Sequence, residues 1–253
     1  MTKIQVDSND KAIILNGKAL IASEGGVTPT GSISITDNGT YDVTNYASAN
    51  VNVPSGGGDV GIPRKVSSTG VYQIPTQSFT FKLPSNATDI GENAMYYAFR
   101  TCTGLTSVDL SSLTTISGSY AMYYAFQSCT GLTSVNLSSL TTISGSNAMY
   151  YAFYGCTGLT SVDLSSLTTI NGSNAMYGVF RACTSLTNIS FPALTSTSFG
   201  SYTNQFNYML QGVKGCTVHF PSNLQSVIGS WSGVTNGFGG TNTTVLFDLP
   251  ATT

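Results

Sequence analysis

Charge is the scarcest property of this chain. Only 8% of its 253 residues are Asp, Glu, Lys or Arg, against about a quarter in an ordinary soluble domain. Nine basic and eleven acidic residues leave a net charge of −2, so there is no positive field to hold nucleic acid or an anionic membrane surface. There is one His, and the five Cys never form a C-x-x-C pair, which excludes the usual zinc spacings. An odd Cys count also speaks against a complete disulfide framework. No nucleophile elbow, P-loop or dinucleotide fingerprint is present. Apolar runs are far shorter than the roughly 20 residues that span a bilayer, and Met1–Asp7 has no apolar core of the kind that heads a secretory signal. These absences describe a non-enzyme without metal or cofactor, without nucleic acid and without membrane insertion. Solubility falls to Ser, Thr, Asn and Gly, a neutral surface that leans towards extracellular or particle-borne proteins.

What is present is repetition. One 27-residue phrase is written four times from Asn93 to Gly200, with copies starting at Asn93, Tyr120, Asn147 and Asn174. Each reads close to N-A-M-Y-Y-A-F-x-x-C-T-G-L-T-S-V-D-L-S-S-L-T-T-I-S-G-S, and self-similarity at that period signals a stacked solenoid. In Leu105–Leu110, alternation sends Val108 and Leu110 to one side and Ser107 and Asp109 to the other, as in a strand. Leu113 and Ile116 turn inward on the return path. Residues 119–126 carry Met122, Ala125 and Phe126 at helical spacing after a Ser cap, which predicts a short helical piece. The strand pattern recurs at Phe81/Leu83, Val108/Leu110, Val135/Leu137, Val162/Leu164, Ile189/Phe191, Val218/Phe220 and Val245/Phe247. That makes seven rungs, altered at the ends as caps are, with a strand face about 29 Å long at ~4.8 Å per step.

Residues 1–54 read as a small β attachment module. Ala12–Leu15 and Ala19–Ala22 flank the hairpin signal Asn16-Gly17, and Ile33/Ile35 and Tyr41/Val43 flank Asp37-Asn38-Gly39. Val51 and Val53 form a further short strand. So thin a core suggests assembly, on a partner or as a homo-oligomer. Residues 55–59 are a Gly-rich linker, and 60–253 form the solenoid.

The pattern Ala98-Phe99-x-x-Cys102-x-x-Leu105-x-x-Val108-x-Leu110, then Leu113-x-x-Ile116, resembles the BspA-like leucine-rich repeats of bacterial surface proteins and some phage products. The resemblance spans about residues 78–249. It implies a leucine-rich-repeat solenoid of short parallel β-strands with short helical or irregular return segments. The family's usual Pro after the second strand Leu is replaced by Ser111, Ser138 and Ser165, and kept at Pro84, Pro192, Pro221 and Pro250. The repeat is also lengthened around Ser117-Gly118-Ser119 and Met122–Tyr124. A second resemblance, of residues 35–53, is to a short module of tail-associated phage and prophage proteins.

Four columns carry candidate chemistry. The Cys column (Cys102, Cys129, Cys156, Cys183) reads as an inward ladder of soft side chains, with a redox array as the sharper alternative. One Tyr of each pair should face out; Tyr97, Tyr124 and Tyr151 are the nominated ones, able to stack on sugars or anchor a protein, or else a structural stack. Asp109, Asn136 and Asp163 line the strand face, as a recognition row or a solvated sheet surface. Arg100, Gln127, Tyr154 and Arg181 fill one varying slot, read as exposed and free of packing constraint. These ten residues form the candidate binding surface. The leading expectation is a virion-associated structural or adhesion protein, a phage tail or fibre component. It would bind a protein or glycan of the bacterial envelope, and other virion proteins through the N-terminal module. The alternative is a bacterial cell-surface adhesin of the same repeat family.

Overall fold

The computed structural model describes residues 88–92, 95–199 and 204–252. Before them it describes the strands β1 (Ile4–Val6), β2 (Ala12–Leu15), β3 (Lys18–Ala22), β4 (Ser32–Ser34), β5 (Asn50–Asn52), β6 (Lys65–Val66), β7 (Tyr72–Gln73) and β8 (Phe79–Lys82). The 55–59 linker and the Tyr41–Val43 segment lie outside the described residues.

Each copy of the phrase contributes one strand, and identical residues fall side by side. β9 (Leu105–Asp109), β11 (Ser134–Asn136) and β13 (Ser161–Asp163) pair in parallel, with Val108 opposite Val135 and Val135 opposite Val162. β8 joins the same sheet through Phe81 opposite Val108. The return path forms a second parallel ribbon of β10 (Thr115–Ile116), β12 (Thr142–Ile143) and β14 (Thr169–Ile170), in matching register. β15 (Asn188–Ser190), β16 (Thr217–Pro221) and β17 (Thr244–Leu249) make a third. This is a leucine-rich-repeat solenoid with a period of about 27 residues. Its only α-helical turns among the described residues are Gln225–Ile228 and Ser232–Thr235, and no helix there is long and apolar enough to cross a membrane.

The strand face is less continuous than the sequence predicts. The first sheet ends at β13 and the third begins at β15. The neighbouring return path is altered too: Ile170 N–H donates to the Ser198 carbonyl at 2.7 Å, and the Ser198 hydroxyl donates to the Thr168 carbonyl at 2.5 Å. The extra residues between Ile189 and Val218 are accommodated around this point. At the other end, β2 and β3 form the expected hairpin, Leu15 opposite Lys18. β4, however, pairs in parallel with β5, Ile33 opposite Val51, and β5 with β8, Val51 opposite Phe81. Both strands therefore extend the first sheet.

The core is a set of columns shared between rungs. Phe99, Phe126, Phe153 and Phe180 are fully buried; Phe99, Phe126 and Phe153 stack at 5.2 Å steps within 5° of parallel, and Phe180 follows at 5.9 Å. Met95, Met122, Met149 and Met176 and the leucines at 105, 132, 159 and 186 are equally buried. A lone rung would leave both faces of each side chain wet; neighbours on either side remove them from water, at roughly 25 cal/mol per Å². Glycine sets how closely rungs approach at one corner. A Cβ on Gly145 would lie 2.0 Å from the Gly118 carbonyl oxygen, and one on Gly172 would lie 2.2 Å from that of Gly145.

Residues 119–126 are not helical. Alternate N–H groups donate to the next rung: Met122 to Ala148, Tyr124 to Tyr150 and Phe126 to Ala152, at 2.7–3.0 Å. The groups between them bond three residues back, as Tyr123 to Tyr120 and Ala125 to Met122. Tyr120, Tyr124 and Ser128 take left-handed φ of 56°, 52° and 59°, and the next copy repeats this at Asn147, Tyr151 and Gly155. The spacing of Met122, Ala125 and Phe126 correctly marks what is buried. The helix is lost because half of the backbone donors are spent between rungs, in a chain of turns.

Candidate functional site

That chain of turns decides which Tyr meets solvent. With the second Tyr of each pair in the left-handed region, the two rings of a pair diverge into separate columns. The outer column is Tyr96, Tyr123, Tyr150 and Tyr177, with centroid steps of 5.0, 5.2 and 4.8 Å and planes within 12° of parallel. The inner column is Tyr97, Tyr124 and Tyr151, at 5.3 and 5.0 Å. Members of a pair meet edge to face, as Tyr150 and Tyr151 do at 4.6 Å and 88°. Tyr96 is 43% exposed, whereas Tyr151 is 8% exposed. The nominated residues Tyr97, Tyr124 and Tyr151 thus form the inner row, and the row sequence reasoning missed is the outer one. The copy that reads Tyr177-Gly178 explains why Tyr151 is buried: a Cβ on Gly178 would lie 2.3 Å from Cε1 of its ring.

The varying slot is packed against the inner row. The guanidinium of Arg100 lies 5.2 Å from the Tyr97 ring centroid, and that of Arg181 lies 5.5 and 5.4 Å from those of Tyr151 and Tyr154. Arg181 also donates from Nη1 to the Tyr151 hydroxyl at 2.8 Å. Arg100 is exposed, while Gln127, Tyr154 and Arg181 are half-buried, and the Gln127 Oε1 is buried without a hydrogen-bond partner. The slot is therefore not free of packing. Cations end the inner ladder on both sides, where cation–π attraction to ring faces is available.

Burial, reinforced by neighbouring phenols, shifts this face's acidity. The hydroxyls of Tyr96, Tyr123, Tyr124 and Tyr177 are held above the ordinary phenol value, and that of Tyr150 is pushed up to about 12. They remain neutral, and able to donate, at any ordinary pH.

The strand face is engaged differently. Asp109 Oδ1 accepts from Ser111 N–H, Asn136 Oδ1 from Ser138 N–H and Asp163 Oδ1 from Ser165 N–H, at 3.0–3.1 Å. Each is an Asx turn closing a strand end. Asn136 Nδ2 also reaches Asp109 Oδ1 at 3.5 Å. With Ser107, Ser134 and Ser161 they line a shallow groove of about 610 Å³. Two rungs separate the two carboxylates, with an amide between them. Further along, His219 Nδ1 lies 2.9 Å from both Asp248 carboxylate oxygens, and its Nε2 is 3.1 Å from Asn188 Nδ2. The Asn188 amide nitrogen is a donor, so in this arrangement Nε2 accepts from it and Nδ1–H donates to Asp248.

The Cys column is structural. None of the five cysteines is in a disulfide, and all are buried. Cys129, Cys156 and Cys183 donate from Sγ to the carbonyls of Phe99, Phe126 and Phe153, at 2.9–3.1 Å. Burial raises these thiols, Cys156 to about 12 and Cys216 to about 11, the opposite of what a reactive thiolate needs.

Comparison with known proteins fits this geometry. The sequence profile of the BspA type Leucine rich repeat region matches residues 73–211, in six copies. No curated protein matches the chain. Among solved structures, the crystal structure of T. pallidum Leucine Rich Repeat protein (TpLRR) is similar at 18% identity, over 73% of this chain and 87% of that one, with a TM-score of 0.33.

Proposed function

Since the chain belongs to the BspA-type leucine-rich repeat family, whose profile covers more than half of it, we propose that it is a non-catalytic binding protein. In this reading it is an adhesin of a bacterial cell surface that engages a protein or glycan through its solenoid. One observation carries the proposal: the same side chains recur at one rung spacing down a partly exposed column, with Tyr96 exposed and Tyr123, Tyr150 and Tyr177 half-buried. Such a surface offers a partner many equal contacts, and avidity grows with the number engaged at once. The binding reading over catalysis is supported by the strand-face residues, whose Oδ1 atoms close turns, and by the sole His, held between Asn188 and Asp248.

The family match favours the cell-surface reading over the virion one. It falls on the repeats, whereas residues 35–53, which resemble a phage tail-associated module, lie outside the matched region. The test is display of the full chain on a non-adherent carrier bacterium. We expect the carrier to adhere to immobilised extracellular proteins or bacterial envelopes; no gain on any surface would end the proposal. Mass spectrometry of purified phage particles decides between the two settings, since recovery of the chain there restores the virion reading.

A further inference from the structure

Stacking constrains what the Tyr face can hold. In the outer column each inner ring has both faces covered by its neighbours at 4.8–5.2 Å. A ligand therefore cannot stack flat on Tyr123 or Tyr150. It meets ring edges, which are the positive part of the aromatic quadrupole, and a file of neutral hydroxyls. The cations Arg100 and Arg181 stand at the two ends of the adjacent inner row. The solenoid's acids lie elsewhere: Asp109 and Asp163 on the first sheet, Asp248 on the third, and Asp89 bound to Ser117. Glu92 is exposed in the first rung, next to the backbone of Gly118. The face as a whole offers donors and positive charge.

Its period selects the kind of polymer. Side chains on one face of an extended peptide repeat every ~6.6 Å, so they drift out of step with a column stepping at 4.8–5.2 Å within a few rungs. A linear pyranose chain advances by about one ring length per sugar; in its extended two-fold form alternate sugars show the same side, at every second rung, so it stays in step.

We propose that the Tyr face binds a linear polyanionic glycan, one sugar per rung, whose face-directed carboxylates, on alternate sugars, accept from the outer Tyr hydroxyls and pair with Arg100 and Arg181. The inference rests on the binding reading above and gives it a face and a ligand class.

The test is retention of the full chain on immobilised polygalacturonate, a linear polyuronate. Its fully methyl-esterified form and poly-glutamate serve as comparisons. Binding to polygalacturonate should weaken with salt and fall at least tenfold on the esterified chain. The triple variant Tyr123→Phe, Tyr150→Phe, Tyr177→Phe keeps the stack and removes three hydroxyls; it should lose about tenfold or more in affinity. The pair Arg100→Gln, Arg181→Gln should lose a similar amount. Unchanged thermal unfolding of the Phe variant confirms that the rungs remain. Equal retention of the esterified chain, tighter binding of poly-glutamate, or no effect of the Phe variant overturns the proposal. If the displayed protein adheres to cells yet ignores polygalacturonate, adhesion stands and this inference falls; if it does neither, both fall.

Discussion

The middle rungs and the last ones solve the same packing problem with different means. From β9 to β13 the buried side chains lie beside their own copies, and Phe126 and Phe153 stack within 3° of parallel. Towards the C-terminus the copies diverge: Phe206 meets Phe220 and Phe238 nearly edge on, at 62° and 78°. Short helical turns at Gln225–Ile228 and Ser232–Thr235 replace the Tyr-bearing segment. In β17, Val245 and Phe247 are only half-buried, where Val218 and Phe220 one rung earlier are fully buried. Identity between neighbours passes register along the stack; variation near the end relaxes it. Stability should follow neighbour count more than residue type.

The largest effect should come from removing a ring with two stacked neighbours. Phe153→Ala should cost ~4 kcal/mol, within the range for buried Phe truncations. Among the described residues Phe247 has one ring neighbour, Phe220 at 5.7 Å, and Phe247→Ala should cost about half as much. Chemical denaturation of both variants measures the difference. Equal losses would mean that the last rung is as tightly built as the middle.

Next is the glycine corner. Gly145→Ala places a methyl against the Gly118 carbonyl, backbone that cannot move without parting two rungs, and should cost ~3 kcal/mol. Gly91 starts the same column with open space around its Cβ position, so Gly91→Ala should change stability by under ~1 kcal/mol. Matching denaturation midpoints would show that rung spacing is not set at this corner.

Alkaline titration sharpens the contrast from the Tyr side. The folded values of Tyr96, Tyr123, Tyr124, Tyr150 and Tyr177 are raised, that of Tyr150 to about 12. An unfolded phenol loses its proton near pH 10. Below that pH both states keep the proton and stability is unaffected. Above it the unfolded state binds fewer protons, so stability falls as pH rises through 10 towards 12. Unfolding midpoints across that window check this, and the triple Phe variant should flatten the slope. A slope unchanged by that variant would locate the effect outside the outer column.

How much of this was legible in the sequence depends on which backbone groups a segment spends locally. Val108, Leu110, Leu113, Ile116 and Cys102 are where strand alternation and the 27-residue period put them, because those side chains answer to their own rung and its copy. The Tyr segment was not legible. Met122, Ala125 and Phe126 fit a helix equally well, and nothing local says that the N–H groups of Met122, Tyr124 and Phe126 are used by the next rung. Those bonds hold Tyr124 and Ser128 at left-handed φ, at ~1 kcal/mol each, a tertiary override of local preference. Choosing Tyr97 over Tyr96 as the outer ring followed from the same missing information. So did the gap between β13 and β15, which depends on how extra residues around Ser198 are accommodated.

The smallest predicted effect concerns the Pro that the middle rungs lack. Where Ser follows the strand, as at Ser165, its N–H is held by the Asx residue two positions earlier. Where Pro follows, as at Pro192 and Pro221, there is no N–H to hold, and the residue two positions earlier is Ser190 or His219. The two pairs of positions thus behave as one unit with two solutions. Ser165→Pro alone should cost ~1 kcal/mol, because Asp163 Oδ1 loses its donor. Asp163→Ser alone should cost a similar amount. The double variant, which writes the outer solution into a middle rung, should recover most of one loss, a coupling of ~1 kcal/mol by double-mutant cycle. Strict additivity would mean that the Ser-for-Pro exchange has nothing to do with the Asx turn, and that the middle and outer rungs end their strands independently of it.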